Sequence, residues 1–248
     1  MQELRKIDNI TNPFNNAPVY YTDETPSTMK LAESFSSSSA PPNGTVISAG
    51  IQTAGRGRIP GRVWEASRDK NLLFTIILSK SDIGNIPLPI VAGLGISRYL
   101  ENYHQLESKI KWPNDIFVQS RKISGIIIDS RKGLFNIGIG ININQTKFTD
   151  SISGSATSLS ILKNRSFDLF IELELILAEL KAVLSSGKWQ KDVTSRLYNI
   201  GKEVSIITGV PGQENIISGN IQGIGSGGQL ILKNNGKLLE IFSGEIKQ

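Results

Sequence analysis

Three apolar stretches of the chain are too continuous to lie half in water: Asn71–Ser79 (NLLFTIILS), Lys122–Asp129 (KISGIIID) and Leu134–Asn144 (LFNIGIGININ). Isoleucine-rich runs of this length predict strands buried within a sheet. Lys109–Lys111 and Ile116–Val118 predict shorter strands on either side of Trp112-Pro113-Asn114-Asp115. Proline interrupts a ladder, so Asn114 and Asp115 belong on a turn or bulge. The strands at 109–118, 122–130 and 134–144 leave no room for helices between them and predict an antiparallel meander. Val46–Gly50 reads as a short strand and Val19–Tyr21 as an edge strand. Helical spacing appears elsewhere. Pro87 to Tyr103 carries Ile90, Val91, Leu94, Ile96 and Leu100 and starts at its prolines. Phe167–Leu184 is more apolar still, and another helix is expected over Lys188–Asn199. A shorter one follows Ser27-Thr28, either of which suits its N-cap, and runs to about Ser36, with a loop over Ser36–Ala40 and the two prolines after it. The pattern predicts an α+β fold: a mixed, largely antiparallel sheet covered by helices.

From Gly201 the pattern changes. Glu203–Thr208, Asn215–Gln222, Gln229–Leu232 and Leu238–Phe242 are short strands separated by glycine-rich or Asn-Gly turns, including Asn235-Gly236. Residues 201–248 therefore predict a small barrel of the SH3 type behind a larger domain at residues 1–200.

Composition narrows the chemistry. The 248 residues leave room for a sizeable core, and 39% hydrophobic with 20% charged residues fits an ordinary soluble protein. There is no cysteine, hence no disulfide frame and no thiolate metal site. The single histidine, His104, excludes a multi-histidine metal site, and its place at the polar end of a helix predicts a surface position. Met1–Asn16 is polar and asparagine-rich, unlike a signal segment, and no apolar run is long enough to span a membrane, so a cytoplasmic location is expected. The net charge of +5 is spread along the chain and does not demand a nucleic-acid partner.

One segment stands apart. Gln52–Trp64 (QTAGRGRIPGRVW) holds three glycines (Gly55, Gly57, Gly61) and three arginines (Arg56, Arg58, Arg62) but no acid. Glycine permits positive φ and close approach of backbone amides, while arginine offers a permanent planar charge to carboxylate or phosphate. The segment reads either as an anion clamp that settles on its ligand or as a solvated basic loop. Lys122 opens a buried strand that Gly125 interrupts, and glycine within a strand often marks a close approach. Gly138, Gly140, Asn142 and Asn144 alternate onto one face, a flat polar floor suited to an aromatic ring. Ser27 and Thr28 either cap their helix or face a polar ligand; Asp115 either caps its turn or binds Mg²⁺.

In order along the chain, Ser27-Thr28, the QTAGRGR…GR.W loop, Lys111-Trp112-Pro113-Asn114-Asp115, Lys122-Ile123-Ser124-Gly125-Ile126, Gly138–Asn144 and Gly244-Glu245-Ile246 resemble the biotin protein ligases. The resemblance spans roughly residues 20 to 248. It implies a synthetase-like catalytic domain with an SH3-like C-terminal domain, ATP-dependent formation of biotinyl-5′-AMP, and transfer of biotin to one lysine of a biotin carboxyl carrier domain. It places Ser27, Thr28, Gln52, Gly55, Arg56, Gly57 and Arg58 around biotin and the activated acyl group. Lys122 would bond carboxylate and phosphate oxygens, beside Asn114 and Gly125. Trp64, Asn142 and Asn144 would lie near adenine, with Asp115 as the Mg²⁺ or polar partner. Lys122, Arg58 and Asp115 are the expected catalytic residues. The chain departs from the family pattern in two places. Ile59-Pro60-Gly61 puts three residues where two are usual, and Met29, a further candidate binding residue by its place after Ser27-Thr28, stands where asparagine is usual. Only 26 residues precede Ser27, fewer than a DNA-reading domain needs, so the resemblance is to the class without DNA binding. A homodimer is possible, since some family members pair through a sheet edge. A lipoate-type ligase shares the fold, and a nucleic-acid-binding module would use the same arginines. The latter predicts a basic stripe with exposed aromatics, whereas the strands after Gly201 carry a single aromatic, Phe242.

Overall fold

The computed structural model describes residues 4–38, 41–210 and 212–247. Eight strands form one sheet: β1 (Arg5–Ile7), β2 (Val19–Thr25), β3 (Val46–Gln52), β4 (Asn71–Ser79), β5 (Lys109–Lys111), β6 (Asp115–Val118), β7 (Arg121–Arg131) and β8 (Leu134–Asn142). Their spatial order is β1-β2-β3-β4-β8-β7-β6-β5. The expected meander is present, with β5, β6, β7 and β8 each pairing antiparallel to the next. β2 and β3 run parallel, because helix α1 (Thr28–Ser38) carries the chain back between them. That helix takes in residues 36–38 of the expected loop, and Ser39 and Ala40 lie outside the described residues. The remaining helices are α2 (Lys80–Ile83), α3 (Leu88–His104), α4 (Leu159–Lys163), α5 (Leu169–Ser186) and α6 (Gln190–Arg196).

The two faces of the sheet are covered unequally. On one face, Phe74 and Ile76 of β4, Ile126 of β7 and Ile137, Ile139 and Ile141 of β8 pack in one buried cluster with Ile90 and Leu94 of α3 and Leu173, Leu177 and Leu180 of α5. Each such side chain contributes roughly 1.5–3 kcal/mol when fully buried. Asp168 starts α5 by accepting hydrogen bonds from the backbone of Phe170 at 2.8 Å and Ile171 at 3.1 Å, and Gly187 ends it at φ 62°. The helices cross tightly, since a methyl group on Gly95 of α3 would lie 2.9 Å from Leu180. On the other face α1 covers only a small patch built on Ala32, Ile47 and Ile77. The rest of that face is left to the loop after β3.

His104 departs from expectation. It is 4% exposed, with Nε2 2.9 Å from Glu172 Oε2 and 3.1 Å from the Tyr99 hydroxyl. The first turn of α5 folds over the last turn of α3, and Glu172 provides the polar partner. Tyr99 also donates to Glu172, and burial followed by that carboxylate pushes its phenol above the usual range.

The last strands form a second antiparallel sheet: β9 (Glu203–Val210), β10 (Gln213–Ile224), β11 (Leu230–Asn234), β12 (Lys237–Ile241) and β13 (Glu245–Ile246), in the order β12-β11-β10-β9-β13. Asn235 and Gly236 turn β11 into β12 with φ of 47° and 80°, as the Asn-Gly signal predicts. Ladders run from β12 to β13, and among the described residues none joins those two ends. Also among the described residues, no helix is long and apolar enough to cross a membrane.

Candidate active site

The site lies on the sparsely covered face. At the end of β3, Gln52 Oε1 accepts hydrogen bonds from the Thr28 backbone at 2.8 Å and from its hydroxyl at 3.1 Å. Thr75 in turn donates to Thr28 Oγ1 at 2.9 Å. The capping expected of Ser27 or Thr28 thus falls to Gln52, which fixes the start of α1 against the strand end.

The loop after β3 is a small hairpin. Arg56 and Val63 form a bridge, Gly57 N donates to Arg62 O at 2.7 Å, and Trp64 N donates to Gly55 O at 3.1 Å. Among its three glycines, Gly61 alone takes a positive φ, 83°. Gly55 and Gly57 serve the loop's own closure: a methyl group on them would meet Trp64 O at 2.7 Å and Arg62 Cβ at 2.9 Å. The arginines are not left as bare charges. Arg56 pairs with Asp129, Arg58 Nη2 donates to Gly244 O at 2.8 Å, and Arg62 reaches both Glu245 oxygens at 2.6 and 2.8 Å. Partly exposed ties of this kind are worth about 0.2–1 kcal/mol each. They hold the loop without locking it.

Beneath the loop is the glycine floor. A methyl group on Gly138 would meet Met29 Sδ at 2.6 Å, and one on Gly140 would meet Trp64 Cε2 at 2.6 Å. Gly125, beside them, is similarly close to Trp64 Cζ3 at 3.1 Å. Hydrogen at these positions is what lets the Trp64 indole and the Met29 thioether lie on the sheet.

Lys122 is aimed by a bulge. Ile116 pairs with Ser124 and Phe117 with Lys122, so Ile123 is an extra residue on β7. The Lys122 backbone is clamped on its other side, donating to Ser155 O at 2.7 Å and accepting from Thr157 N at 2.9 Å. Its ammonium sits 2.7 Å from Asp115 Oδ1 and 5.5 Å from the centre of the Trp64 ring.

The resulting pocket is open to solvent and takes in about 500 Å³, its mouth included. It brings together twelve of the predicted site residues: Ser27, Thr28, Met29, Gln52, Arg56, Gly57, Arg58, Trp64, Asn114, Asp115, Lys122 and Gly125. Gly55, Asn142 and Asn144 are the exceptions. Gly55 is part of the hairpin's own closure and does not line the pocket. Asn142 lines a neighbouring cleft on the far side of Trp64, with Phe148, Ile152 and Ser155, three residues outside every motif singled out above. The amide of Asn142 donates to Thr157 O at 3.0 Å, which leaves its Oδ1 buried without a partner, as is Trp64 Nε1. Asn144 is turned away from the pocket. β8 ends at Asn142, so the alternation stops there, and the Asn144 amide is spent on both backbone groups of Phe167, at 2.8 and 2.9 Å.

A third cleft opens on the other side of the hairpin, between Arg58, Arg62, Lys111, Asp115, Lys122 and Glu245. Trp64 and Lys122 line all three clefts. Lys111 is 5% exposed, and burial pushes its ammonium below the usual lysine range against the opposing pull of Asp115. Among the described residues no group of three or more His, Cys, Asp or Glu is placed to hold a metal ion. Asp115 is the one carboxylate lining the pocket, and Lys122 already neutralises it.

Comparison with known proteins points to one family. The model of the biotin/lipoate A/B protein ligase family matches residues 21–144, half of the chain. The bifunctional ligase/repressor BirA of Bacillus spizizenii is 35% identical over 158 residues, covering 60% of the chain but only 48% of that protein, so the chain spans about half its length. A biotin–[acetyl-CoA-carboxylase] ligase of Mycobacterium tuberculosis is 27% identical over 82% of the chain and 79% of its own length. Among solved structures, a biotin protein ligase from Aquifex aeolicus in complex with biotin and ATP superposes with a TM-score of 0.81 at 28% identity, over 92% of the chain and 97% of its own.

Proposed function

The chain belongs to the biotin/lipoate A/B protein ligase family, and from that premise we propose that it is an ATP-dependent biotin protein ligase. The observation that carries this reading is the meeting of three clefts at Lys122 and Trp64. A ligase that joins a carboxylic acid to AMP must bring an acid, a nucleotide and a leaving group to one point. The pocket floored by Gly138 and Gly140 takes biotin. Its closed end, with Ser27, Thr28 and Gln52, offers hydrogen bonds to a ureido group. A dithiolane ring has no groups to use them, which favours biotin over lipoate. The cleft beyond Trp64 takes adenine: Asn142 Oδ1, buried and unpaired, accepts from an exocyclic amine.

In the first step an oxygen of the biotin carboxylate attacks the α-phosphorus, and the bond to the β-phosphate oxygen breaks with its electron pair leaving on diphosphate. In the second, the amine of a carrier-domain lysine attacks the acyl carbon and AMP departs. Negative charge builds on phosphoryl oxygens in the first step and on the acyl oxygen in the second. Lys122, preorganised by its bulge and oriented by Asp115, faces both. Mg²⁺ enters with the ATP phosphates, since the lone, already paired Asp115 does not build a resident site.

The test is biotin-dependent exchange of labelled diphosphate into ATP, followed by biotinylation of a biotin carboxyl carrier domain. Exchange driven equally by lipoate, or no exchange with biotin, would sink the reading.

A further inference from the structure

Helix α5 carries its acids on the inside. Glu172 and Glu179 are 5% and 8% exposed and face α3, Glu172 on Tyr99 and His104, Glu179 on Asn102 and Arg98. Its outward side is apolar instead. Ile171 is 60% exposed, Leu175 is half-buried, and Ala178 and Ala182 are exposed. Among the described residues no element roofs this stripe. The four follow one another at intervals of four, three and four residues, the spacing of a coiled-coil seam. A helix at the surface of a lone globular protein turns its polar side to water, and this one does the opposite.

We infer that this stripe is the seam of a homodimer, in which α5 packs antiparallel on α5 of a second copy. Size and charge both select that occupant. Setting Ile171 against the partner's Ala182 sets Leu175 against the partner's Ala178 in the same register, so a large side chain meets a small one at every layer. Alanine at the contact lets the two axes approach closely. A parallel pair would stack Ile171 on its own copy at one end and alanine on alanine at the other, leaving a gap. Along one border of the stripe lie Glu174 and Lys181, both half-buried. Neither forms an ion pair among the described residues; Glu174 accepts from Thr11 N at 3.2 Å, and the Lys181 ammonium lies over the Phe14 ring. The antiparallel register brings Glu174 beside the partner's Lys181, and the two-fold repeats the pair. The edges of the large sheet offer less. Beyond β5, Ile110 bridges Leu197 and its carbonyl accepts from Tyr198 N at 2.9 Å, while β1 is three residues long and carries Arg5 and Lys6. Because α5 covers the sheet face opposite the clefts, the pairing leaves the clefts of both copies open. One helix from each copy makes a small interface, so the dimer should be reversible.

Sedimentation velocity of the full chain over a rising concentration series should show its mass moving toward that of two chains. Ala178→Glu places a carboxylate in the seam against the partner's Leu175 and should raise the dissociation constant at least about tenfold. Since Ala178 is exposed in the single copy, thermal unfolding of the variant at low concentration should match the parent. The chain has no cysteine, which makes a single introduced one a clean reporter of register. Across the two-fold, the two copies of Ala178 lie about 4.5 Å apart along the helix axis, within disulfide reach, whereas the two copies of the exposed Ser185 lie about 25 Å apart. Under mild oxidant Ala178→Cys should therefore form an intermolecular disulfide, and Ser185→Cys should not. A parent that stays monomeric throughout the series overturns the inference. So does a dimer that Ala178→Glu leaves intact, a result that would hand the contact to another surface. Equal cross-linking at the two positions overturns the antiparallel seam.

Discussion

On one side of strand β8, Ile137, Ile139 and Ile141 disappear into the cluster of α3 and α5. On the other, Gly138, Gly140 and Asn142 meet Met29, Trp64 and the cleft beyond it. A single strand writes both surfaces by alternation, and the two are held by different forces. The packed face is held by burial that hardly depends on any one contact. The open face is roofed by a hairpin tied through half-exposed ion pairs. A synthetase needs both: a floor that does not move while charge develops, and a roof that can let substrates in. Substitutions should therefore separate cleanly, with stability moving on one face and chemistry on the other.

The largest expected effect is on the open face. Lys122→Gln should lower biotinyl-AMP formation and transfer from supplied biotinyl-AMP each by about 10²–10³, the usual loss for one preorganised donor. Its melting temperature should stay near that of the parent, because the side chain is a third exposed and contributes no core packing. Near-parental rates in both half-reactions would reduce Lys122 to a surface charge. Arg58→Gly should come next. Loss of one charge-assisted contact of about 1.5–3 kcal/mol should speed release of biotinyl-AMP, read as biotinylation of bystander lysines. A variant that leaks no more adenylate than the parent contradicts that placement.

Neighbouring residues of β8 give the sharpest contrast. Gly140→Ala puts a methyl group 2.6 Å from Trp64 Cε2, a clash relieved by displacing the indole rather than the sheet. Because Trp64 sits on the hairpin, the indole should shift, raising the KM values for biotin and ATP while thermal unfolding changes little. Ile139→Val, one residue away, should do the reverse: about 0.5–1.5 kcal/mol less stable in denaturant unfolding, with the same KM values. If both variants moved the same observable, the two faces would not be separable.

The sequence revealed the strands, the glycine floor and the basic loop because each is written locally, as a run, an alternation or a dense cluster. What it hid is non-local. Asp129 and Glu245 hold arginines 73 and 183 residues away. Without them the loop read as three bare charges. His104 read as a surface residue because its partner Glu172 comes from another helix, 68 residues on. Asn144 joins the floor only if the alternation runs past Asn142, where the strand ends. Lys111 stands in view within the Lys-Trp-Pro-Asn-Asp segment, but only the fold shows that it is buried.

The smallest effect tests the roof itself. Arg62 and Glu245 form a two-pronged ion pair with side chains 59% and 26% exposed, a setting worth about 0.2–1 kcal/mol. Glu245→Gln removes the charge while keeping the shape, so the hairpin should open more often by a factor of up to about five. Limited proteolysis reports that population when reclosing outpaces cleavage. Trypsin should therefore cut after Arg56, Arg58 or Arg62 up to about fivefold faster in the variant, with cleavage elsewhere unchanged. Biotinyl-AMP should slow these cuts in parent and variant alike, because its phosphate gives the arginines an acceptor that does not depend on Glu245. Equal rates in the two proteins would mean that the hairpin is held by Trp64 lying on Gly125 and Gly140 rather than by its charges. Cleavage indifferent to biotinyl-AMP would mean that the arginines do not face the adenylate.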